Sequence, residues 1–234
     1  MSELDEKLIR RVIKGDTEAV KALLGEGADA DTTGGLTAVG AGNTALMWAA
    51  SEGYLEIAQA LLAHGADPNA KNSGGYTALM FAAEGDYRHV VSLLLEHTDQ
   101  IHERNAYQET LLMVVAQHGQ TDLVQQLAEM GSDVNAANRI GDTALYLAAE
   151  RGHLYTVRAL INLGAKVNTE NLGGWTPLMM ASAQGSLDVM ALLLEHGADF
   201  RPKNRWGASA LSEARQSFRA QQATALLMQA GATE

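Results

Sequence analysis

Hydrophobic and small residues return along the chain at an interval of 33 positions. The interval is set by threonines that begin a Thr-x-Leu motif: Thr44, Thr77, Thr110, Thr143 and Thr176, with Ser209 continuing the series. Pairs of small residues keep the same phase at Ala49-Ala50, Ala82-Ala83, Ala148-Ala149 and Ala181-Ser182. Apolar pairs do so at Leu61-Leu62, Leu94-Leu95, Leu160-Ile161 and Leu193-Leu194. A fixed period of this length predicts a solenoid, in which each repeat buries its hydrophobic face against its neighbours.

Each repeat is predicted to form two short helices followed by a turn. The threonine caps the first helix through its side-chain oxygen, and Pro177 stands in a first turn, where proline is tolerated. One glycine series separates the two helices: Gly53, Gly119, Gly152 and Gly185. A second series ends the second helix, where a left-handed residue is favoured: Gly65, Gly131, Gly164 and Gly197. An asparagine series continues through the following polar turn: Asn72, Asn105, Asn138, Asn171 and Asn204.

The segment 42–53, Gly-Asn-Thr-Ala-Leu-Met-Trp-Ala-Ala-Ser-Glu-Gly, strongly resembles an ankyrin repeat, as does its continuation to Asn69. The resemblance covers nearly the whole chain. It implies an all-α ankyrin-repeat solenoid of stacked helix-turn-helix units with β-hairpin fingers and a concave binding groove. About seven repeats, including caps, are expected in a single domain, 1–234. Its parts are an N-terminal cap repeat with an extended first finger (1–41), five 33-residue repeats (42–204) and a C-terminal cap repeat (205–234).

Several positions depart from the repeat. Residues 8–31 match only the second half of a repeat, and the first finger has five extra residues within 32–41. Asp86 and Thr98 stand where other repeats have glycine. Aspartate tolerates a positive φ moderately well and threonine does not, so we expect a distorted turn at 98–102.

Composition and charge narrow the choice of partners. The net charge is −11, with 20 acidic and 9 basic residues in 1–140 and 8 of each in 141–234. Nucleic acid and anionic membranes attract basic surfaces, so neither is an expected partner. The chain lacks an apolar run long enough to span a membrane and begins without a secretory signal, and we expect a cytoplasmic protein, monomeric on its own. The methionine-rich motif and the lack of cysteine slightly favour a bacterial source.

No catalytic motif is present, and we expect neither an enzyme nor a bound metal or cofactor. The strongest candidate for acid–base chemistry is His118 with Glu150 and Arg151 one repeat later, on the exposed edges of first helices. Solvated groove residues are the favoured interpretation of that cluster. His64, His97 and His196 share a place near the end of the second helix, where a cationic side chain suits the helix terminus.

The predicted function is non-catalytic binding of another protein through the concave face of fingers and first helices. The alternatives are a regulatory or stabilising subunit of an enzyme and, less favoured, an enzyme built on the His118 cluster. Aromatic and arginine side chains at finger positions are typical of interface anchors. The candidate binding residues are Tyr76, Tyr107, Glu109, Arg139, Ile140, Asp142, Arg151, Leu172, Trp175, Arg205 and Trp206. The alternative for each ring is packing on the neighbouring finger.

Overall fold

Each threonine of the repeat series caps a helix, as the sequence predicts. In the computed structural model, which describes residues 2–34 and 42–233, the Thr44 hydroxyl accepts a hydrogen bond from the Met47 N–H at 3.2 Å. The equivalent bond forms at Thr77, Thr110, Thr143, Thr176 and Ser209. Pro177 occupies the first turn of its helix. At the start of each of these helices, one hydroxyl therefore accepts a hydrogen bond from a backbone N–H that has no partner within the helix.

The described residues form fourteen helices, which group into two compact units, Met1–Ala106 and Tyr107–Glu234. The N-terminal unit contains α1 (Glu3–Ile13), α2 (Thr17–Gly25), α3 (Ala45–Ser51), α4 (Leu55–Ala63), α5 (Ala78–Glu84) and α6 (Arg88–Leu95). The C-terminal unit contains α7 (Leu111–Gln117), α8 (Thr121–Glu129), α9 (Ala144–Glu150), α10 (Leu154–Asn162), α11 (Pro177–Ala183), α12 (Leu187–Glu195), α13 (Ala210–Gln216) and α14 (Ala220–Gln229). None of these helices combines the length and the apolar character needed to cross a membrane.

Within each unit, the first and second helices of a pair alternate along the chain. First helices pack on neighbouring first helices, and second helices pack on neighbouring second helices. In the C-terminal unit α9 lies between α7 and α11, and α10 lies between α8 and α12. Ala148 and Ala149 of α9 are completely buried. Their small side chains permit the close approach of neighbouring first helices, which explains why alanine recurs at these positions.

The start of the chain differs from the prediction. The sequence matched only the second half of a repeat there, but α1 precedes α2 and completes a helix pair. A capping box begins α1, because the Ser2 hydroxyl accepts from the Asp5 N–H and the Asp5 carboxylate accepts from the Ser2 N–H. Leu8 and Val12 are fully buried. The helix was missed because its outer face is charged and its motif lacks the Thr-x-Leu pattern.

The extended first finger falls mostly on residues 35–41, which lie outside the described residues. At its base, Thr33 pairs with Thr44 in an isolated antiparallel bridge. The Trp48 indole N–H donates to the Gly34 carbonyl at 2.6 Å. The base of this finger is thus held by a core-side tryptophan.

The other fingers are turns with little strand. Strand pairing in the described residues is limited to isolated bridge positions, which include the pairs Thr33–Thr44 and Ala137–Thr143 and the bridge residues Arg104 and Thr110. The expected β-hairpins are shortened to these bridges because only four residues lie between each finger asparagine and the next capping Thr or Ser. After the turn itself, too few residues remain to form a ladder.

Two residues other than glycine adopt a positive φ in the described chain, Asp86 at +56° and Gln108 at +62°. Asp86 replaces the glycine between helices, as expected. Thr98 instead avoids the left-handed region. Its hydroxyl donates to the side-chain oxygen of Asn69 and accepts from the Gln100 N–H at 3.0 Å. The turn after α6 is therefore built on side-chain hydrogen bonds, and α6 ends one residue earlier in its repeat than α4.

The glycine between helices has a second role besides its positive φ. A Cβ added to Gly53 (φ +72°) would lie 2.3 Å from Cδ1 of Tyr87, and one added to Gly119 would lie 2.7 Å from Nδ1 of His153. In both cases the ring belongs to the next repeat and lies directly on the glycine. The His153 ring nitrogen Nε2 also lies 2.9 Å from the Gln117 carbonyl oxygen. These contacts couple adjacent repeats at their outer turns.

We predict that Gly53→Ala destabilises the chain far more than Gly65→Ala. Both glycines have a positive φ, which costs an alanine about 1–2 kcal/mol, but an added Cβ at Gly65 meets nothing within 4 Å. Gly53→Ala also drives a methyl group into the Tyr87 ring, and we expect a total loss of at least about 3 kcal/mol in the free energy of unfolding. Urea unfolding followed by circular dichroism measures both.

The Tyr87→Ala background is the control. There the two glycine substitutions should cost nearly the same, since only the φ penalty remains. Equal costs in the wild-type background would show that the ring does not confine Gly53.

Candidate protein-binding surface

In four fingers of the described chain, one asparagine side chain fixes the turn. In the Asn138 finger, the side-chain oxygen accepts from the Ile140 N–H at 3.0 Å and the Asp142 N–H at 2.9 Å. The Asn138 N–H donates to the Asp142 carbonyl at 2.9 Å. The same pair of side-chain bonds forms in the fingers that begin at Asn72, Asn171 and Asn204. An Asx-type turn of this kind fixes the backbone without needing a strand.

Adjacent fingers of the C-terminal unit are joined through their backbones. The Arg139 N–H donates to the Tyr107 carbonyl at 2.9 Å, and the Leu172 N–H donates to the Ile140 carbonyl at 2.9 Å. The Arg205 N–H donates to the Gly173 carbonyl at 3.0 Å. The finger tips therefore stand side by side in register, so equivalent residues of successive repeats lie in rows.

Glycine at the fourth finger position permits this close approach. Gly141 has a φ of +87°, and a Cβ there would lie 2.9 Å from the Leu172 backbone nitrogen. A Cβ on Gly174 would lie 3.0 Å from Cα of Asn204. Neither position accepts a side chain without separating the fingers.

Six of the candidate binding residues are exposed at the tips of these fingers. The exposed fraction is 59% for Tyr107, 57% for Ile140, 58% for Leu172 and 75% for Trp206. Arg139 and Arg205 are also exposed. We call these six residues, Tyr107, Arg139, Ile140, Leu172, Arg205 and Trp206, the tip surface. Arg151, at the C-terminal end of α9, is exposed on a first helix of the same unit.

The remaining candidates are less accessible. Trp175 is half-buried and lies against Gly173, where a Cβ would be 3.0 Å from its Cδ1. Tyr76, in the N-terminal unit, is half-buried and stacks on Phe81 with ring centroids 5.5 Å apart. Glu109 is half-buried. Other residues of the chain cover part of the surface of each of these side chains.

Asp142 does not lie on the surface. It is 6% exposed, and its Oδ1 accepts a hydrogen bond from the Asn171 amide at 2.8 Å. The carboxylate therefore links one finger to the next, and little of its surface is accessible to a partner. In the N-terminal unit, Asn43 occupies the equivalent place and accepts from the Asn72 amide at 2.8 Å.

The protein-family model for ankyrin repeats (three copies) matches the sequence at residues 8–105 and 112–204. The chain belongs to the ankyrin-repeat family. The crystal structure of the human ASB11 ankyrin repeat domain is similar over 97% of this chain and 99% of that one, with a TM-score of 0.82 and 26% identity. The ankyrin repeat domain of Bcl-3, described as a unique member of the IkappaB protein family, is similar over 95% and 97%, with a TM-score of 0.72 and 27% identity. No curated protein sequence matches the chain.

Ankyrin-repeat domains are generally protein-interaction modules, typically without catalytic activity. In this ankyrin-repeat chain, the candidate acid–base residue His118 has Nδ1 2.9 Å from the Val114 carbonyl oxygen. His64, His97 and His196 make the same bond, each at 2.8 Å, to the carbonyl four residues earlier. His118 thus shares a helix-end arrangement with three histidines outside the proposed cluster. In the described part of the chain, no three His, Asp or Glu residues are placed to hold a metal ion.

Two exposed rings were not singled out by the sequence. Tyr155, on α10, is 76% exposed, and Phe218, between α13 and α14, is 79% exposed with the Arg219 guanidinium 5.2 Å from its centroid. Both lie on turns or second helices and away from the fingers. The repeat motif does not specify the residue at either position, so the pattern did not indicate that these rings would be exposed.

One buried tyrosine lies close to the residues that link the fingers. Tyr146 is 7% exposed, and its phenol is near Asn171, Asp142 and Glu150. Burial raises the pKa of its phenol well above the ordinary value near 10, and the nearby carboxylates of Asp142 and Glu150 add to the shift. The phenol therefore stays neutral while the chain is folded.

We predict that Tyr146→Phe removes part of the alkaline loss of stability. The unfolded phenol ionises near pH 10 and the folded one at higher pH, so the unfolding free energy falls as pH rises above about 10. Urea unfolding at pH 7 and 10.5 should show a smaller loss of unfolding free energy between the two pH values in the variant than in wild type. Tyr155→Phe, at an exposed site, serves as the control and should retain the wild-type loss. An alkaline loss in Tyr146→Phe as large as that of wild type would contradict the assignment.

Proposed function

We propose that this chain is a non-catalytic module that binds a partner protein through the tip surface of its C-terminal unit, with Arg151 beside it. The observation that carries the proposal is the exposure of Tyr107, Ile140, Leu172 and Trp206 at the tips of successive, mutually hydrogen-bonded fingers. Single exposed apolar residues are ordinary, whereas several on adjacent fingers favour an interaction site.

The backbone beneath the tip surface is fixed by hydrogen bonds within the chain, without a partner. Asn138, Asn171 and Asn204 close their turns, and the backbone bonds between fingers fix the spacing. A preorganised surface loses little conformational entropy on binding, so more of the contact energy remains as affinity. Tryptophan, tyrosine and arginine are also the residues most enriched among interface anchors.

Trp175 supports the surface from within. Its indole and the Trp206 ring both approach Gly173, where a Cβ would lie 3.0 Å from Trp175 Cδ1 and 3.4 Å from Trp206 Cζ3. We assign Trp206 as the contact residue and Trp175 as the residue that positions it. Tyr76 and Glu109 take a minor part in the proposal, and Asp142 takes none. The expectations of a cytoplasmic, monomeric protein remain part of the proposal.

The test is the double variant Ile140→Ala/Trp206→Ala. Truncating two exposed side chains should change the unfolding free energy by less than about 1 kcal/mol. Loss of two anchors should lower partner affinity at least about tenfold. Capture by the immobilised chain from cells that naturally make it, quantified by mass spectrometry, identifies partners, and titration calorimetry then measures their affinity.

The matched control is Tyr155→Ala/Phe218→Ala, which removes two equally exposed rings away from the fingers. Partners of the tip surface bind this control as they bind wild type. Partners that lose affinity equally for both double variants, or for neither, would contradict the proposal.

A further inference from the structure

The two rows of the tip surface have different chemistry. The first position after each finger asparagine holds Arg139, Leu172 and Arg205 in successive repeats. The second position holds Tyr107, Ile140, Gly173 and Trp206. One row thus places a cation on each side of a leucine, and the other row is apolar.

The Trp206 ring fills the one gap in the apolar row. Gly173 has no side chain, and Cζ3 of Trp206 would lie 3.4 Å from a Cβ built there. The indole therefore leans across the glycine toward the preceding finger. Ile140 and Trp206 become consecutive members of one apolar strip.

The two arginines of the other row carry charge that the chain does not neutralise. Within residues 2–34 and 42–233, no ion pair involves Arg139 or Arg205, whereas Arg201 binds Asp199 through two bonds of 2.8 and 2.9 Å. The acidic residue of the Asn138 finger, Asp142, is buried and bonded to Asn171. Two exposed guanidinium groups therefore stand beside the apolar strip in a protein whose net charge is −11.

The spacing of the fingers limits the shape of what binds there. Each finger is two chain segments wide, and neighbouring segments in hydrogen-bonded backbone lie about 4.8 Å apart. Arg139 and Arg205 are two fingers apart, which corresponds to about 19 Å. An extended chain advances about 3.3 Å per residue, so about six residues of it cover this distance.

We propose that the tip surface recognises an extended acidic segment of the partner, with two carboxylates about six residues apart and apolar side chains between them. This inference rests on the proposed function and specifies its partner. The carboxylates meet Arg139 and Arg205 in charge-assisted hydrogen bonds, and the apolar side chains lie on the strip formed by Ile140 and Trp206. A basic segment is disfavoured because it would bring like charges together.

The experiment is selection of a displayed library of random twelve-residue peptides on the immobilised full chain. We expect enriched peptides rich in Asp and Glu, with two acidic positions five to seven residues apart and Leu, Ile or an aromatic residue between them. The fluorescein-labelled form of the most enriched peptide should bind at least about fivefold more weakly to Arg139→Gln/Arg205→Gln. Raising the salt concentration from about 50 to about 500 mM should weaken wild-type binding, because screening reduces exposed charge interactions.

The control Arg158→Gln/Lys166→Gln makes the same change in net charge at two other exposed sites of the C-terminal unit. It should bind the peptide as wild type does. Equal weakening in both double variants would show a general charge effect and overturn the assignment to Arg139 and Arg205.

The outcomes separate this inference from the proposed function. Enriched peptides without acidic bias whose binding still needs Ile140 and Trp206 would overturn the acidic segment and leave the binding surface standing. Enriched peptides that bind Ile140→Ala/Trp206→Ala as well as wild type, or no enrichment at all, would overturn both.

Discussion

The side-chain amide of the finger asparagines makes the interaction on which the proposed binding surface depends. Its oxygen accepts two backbone N–H groups of its own turn, and in the Asn171 finger its nitrogen donates to Asp142 of the preceding finger. A five-residue loop with almost no strand would otherwise leave these backbone groups unsatisfied. One polar side chain thus closes a turn and joins it to its neighbour, and a regular row of tips results.

Glycine provides the complementary constraint, because the fingers and the outer turns approach too closely for a side chain. Gly141 and Gly174 lie under the backbone of the next finger, and Gly53 lies under the Tyr87 ring. These positions require glycine for two reasons, its access to a positive φ and its lack of a side chain. Where only the conformation is required, the chain accepts another residue, as at Asp86.

These internal constraints act at the finger tips mainly through backbone groups. Asn138 and Gly141 build their finger, while Arg139 and Ile140 between them contribute only their backbone groups to it. The side chains at those two positions are exposed. The division explains how a repeat with a strict motif carries a surface particular to this chain, and why family membership alone does not identify the partner.

The sequence by itself determined the period, the helix pairs, the capping residues and the positions of the turns, because each depends on local hydrogen bonding and on small residues at fixed spacing. It also located the finger tips, including Arg139, Ile140, Leu172 and Trp206. Only the tertiary structure decided which of those side chains face solvent. Asp142 and Trp175 occupy finger positions as Ile140 does, but Asp142 is bonded to the next finger and Trp175 lies on Gly173. Exposure depends on what the neighbouring repeat places against a residue, and that contact joins positions about thirty residues apart, which a local pattern does not specify.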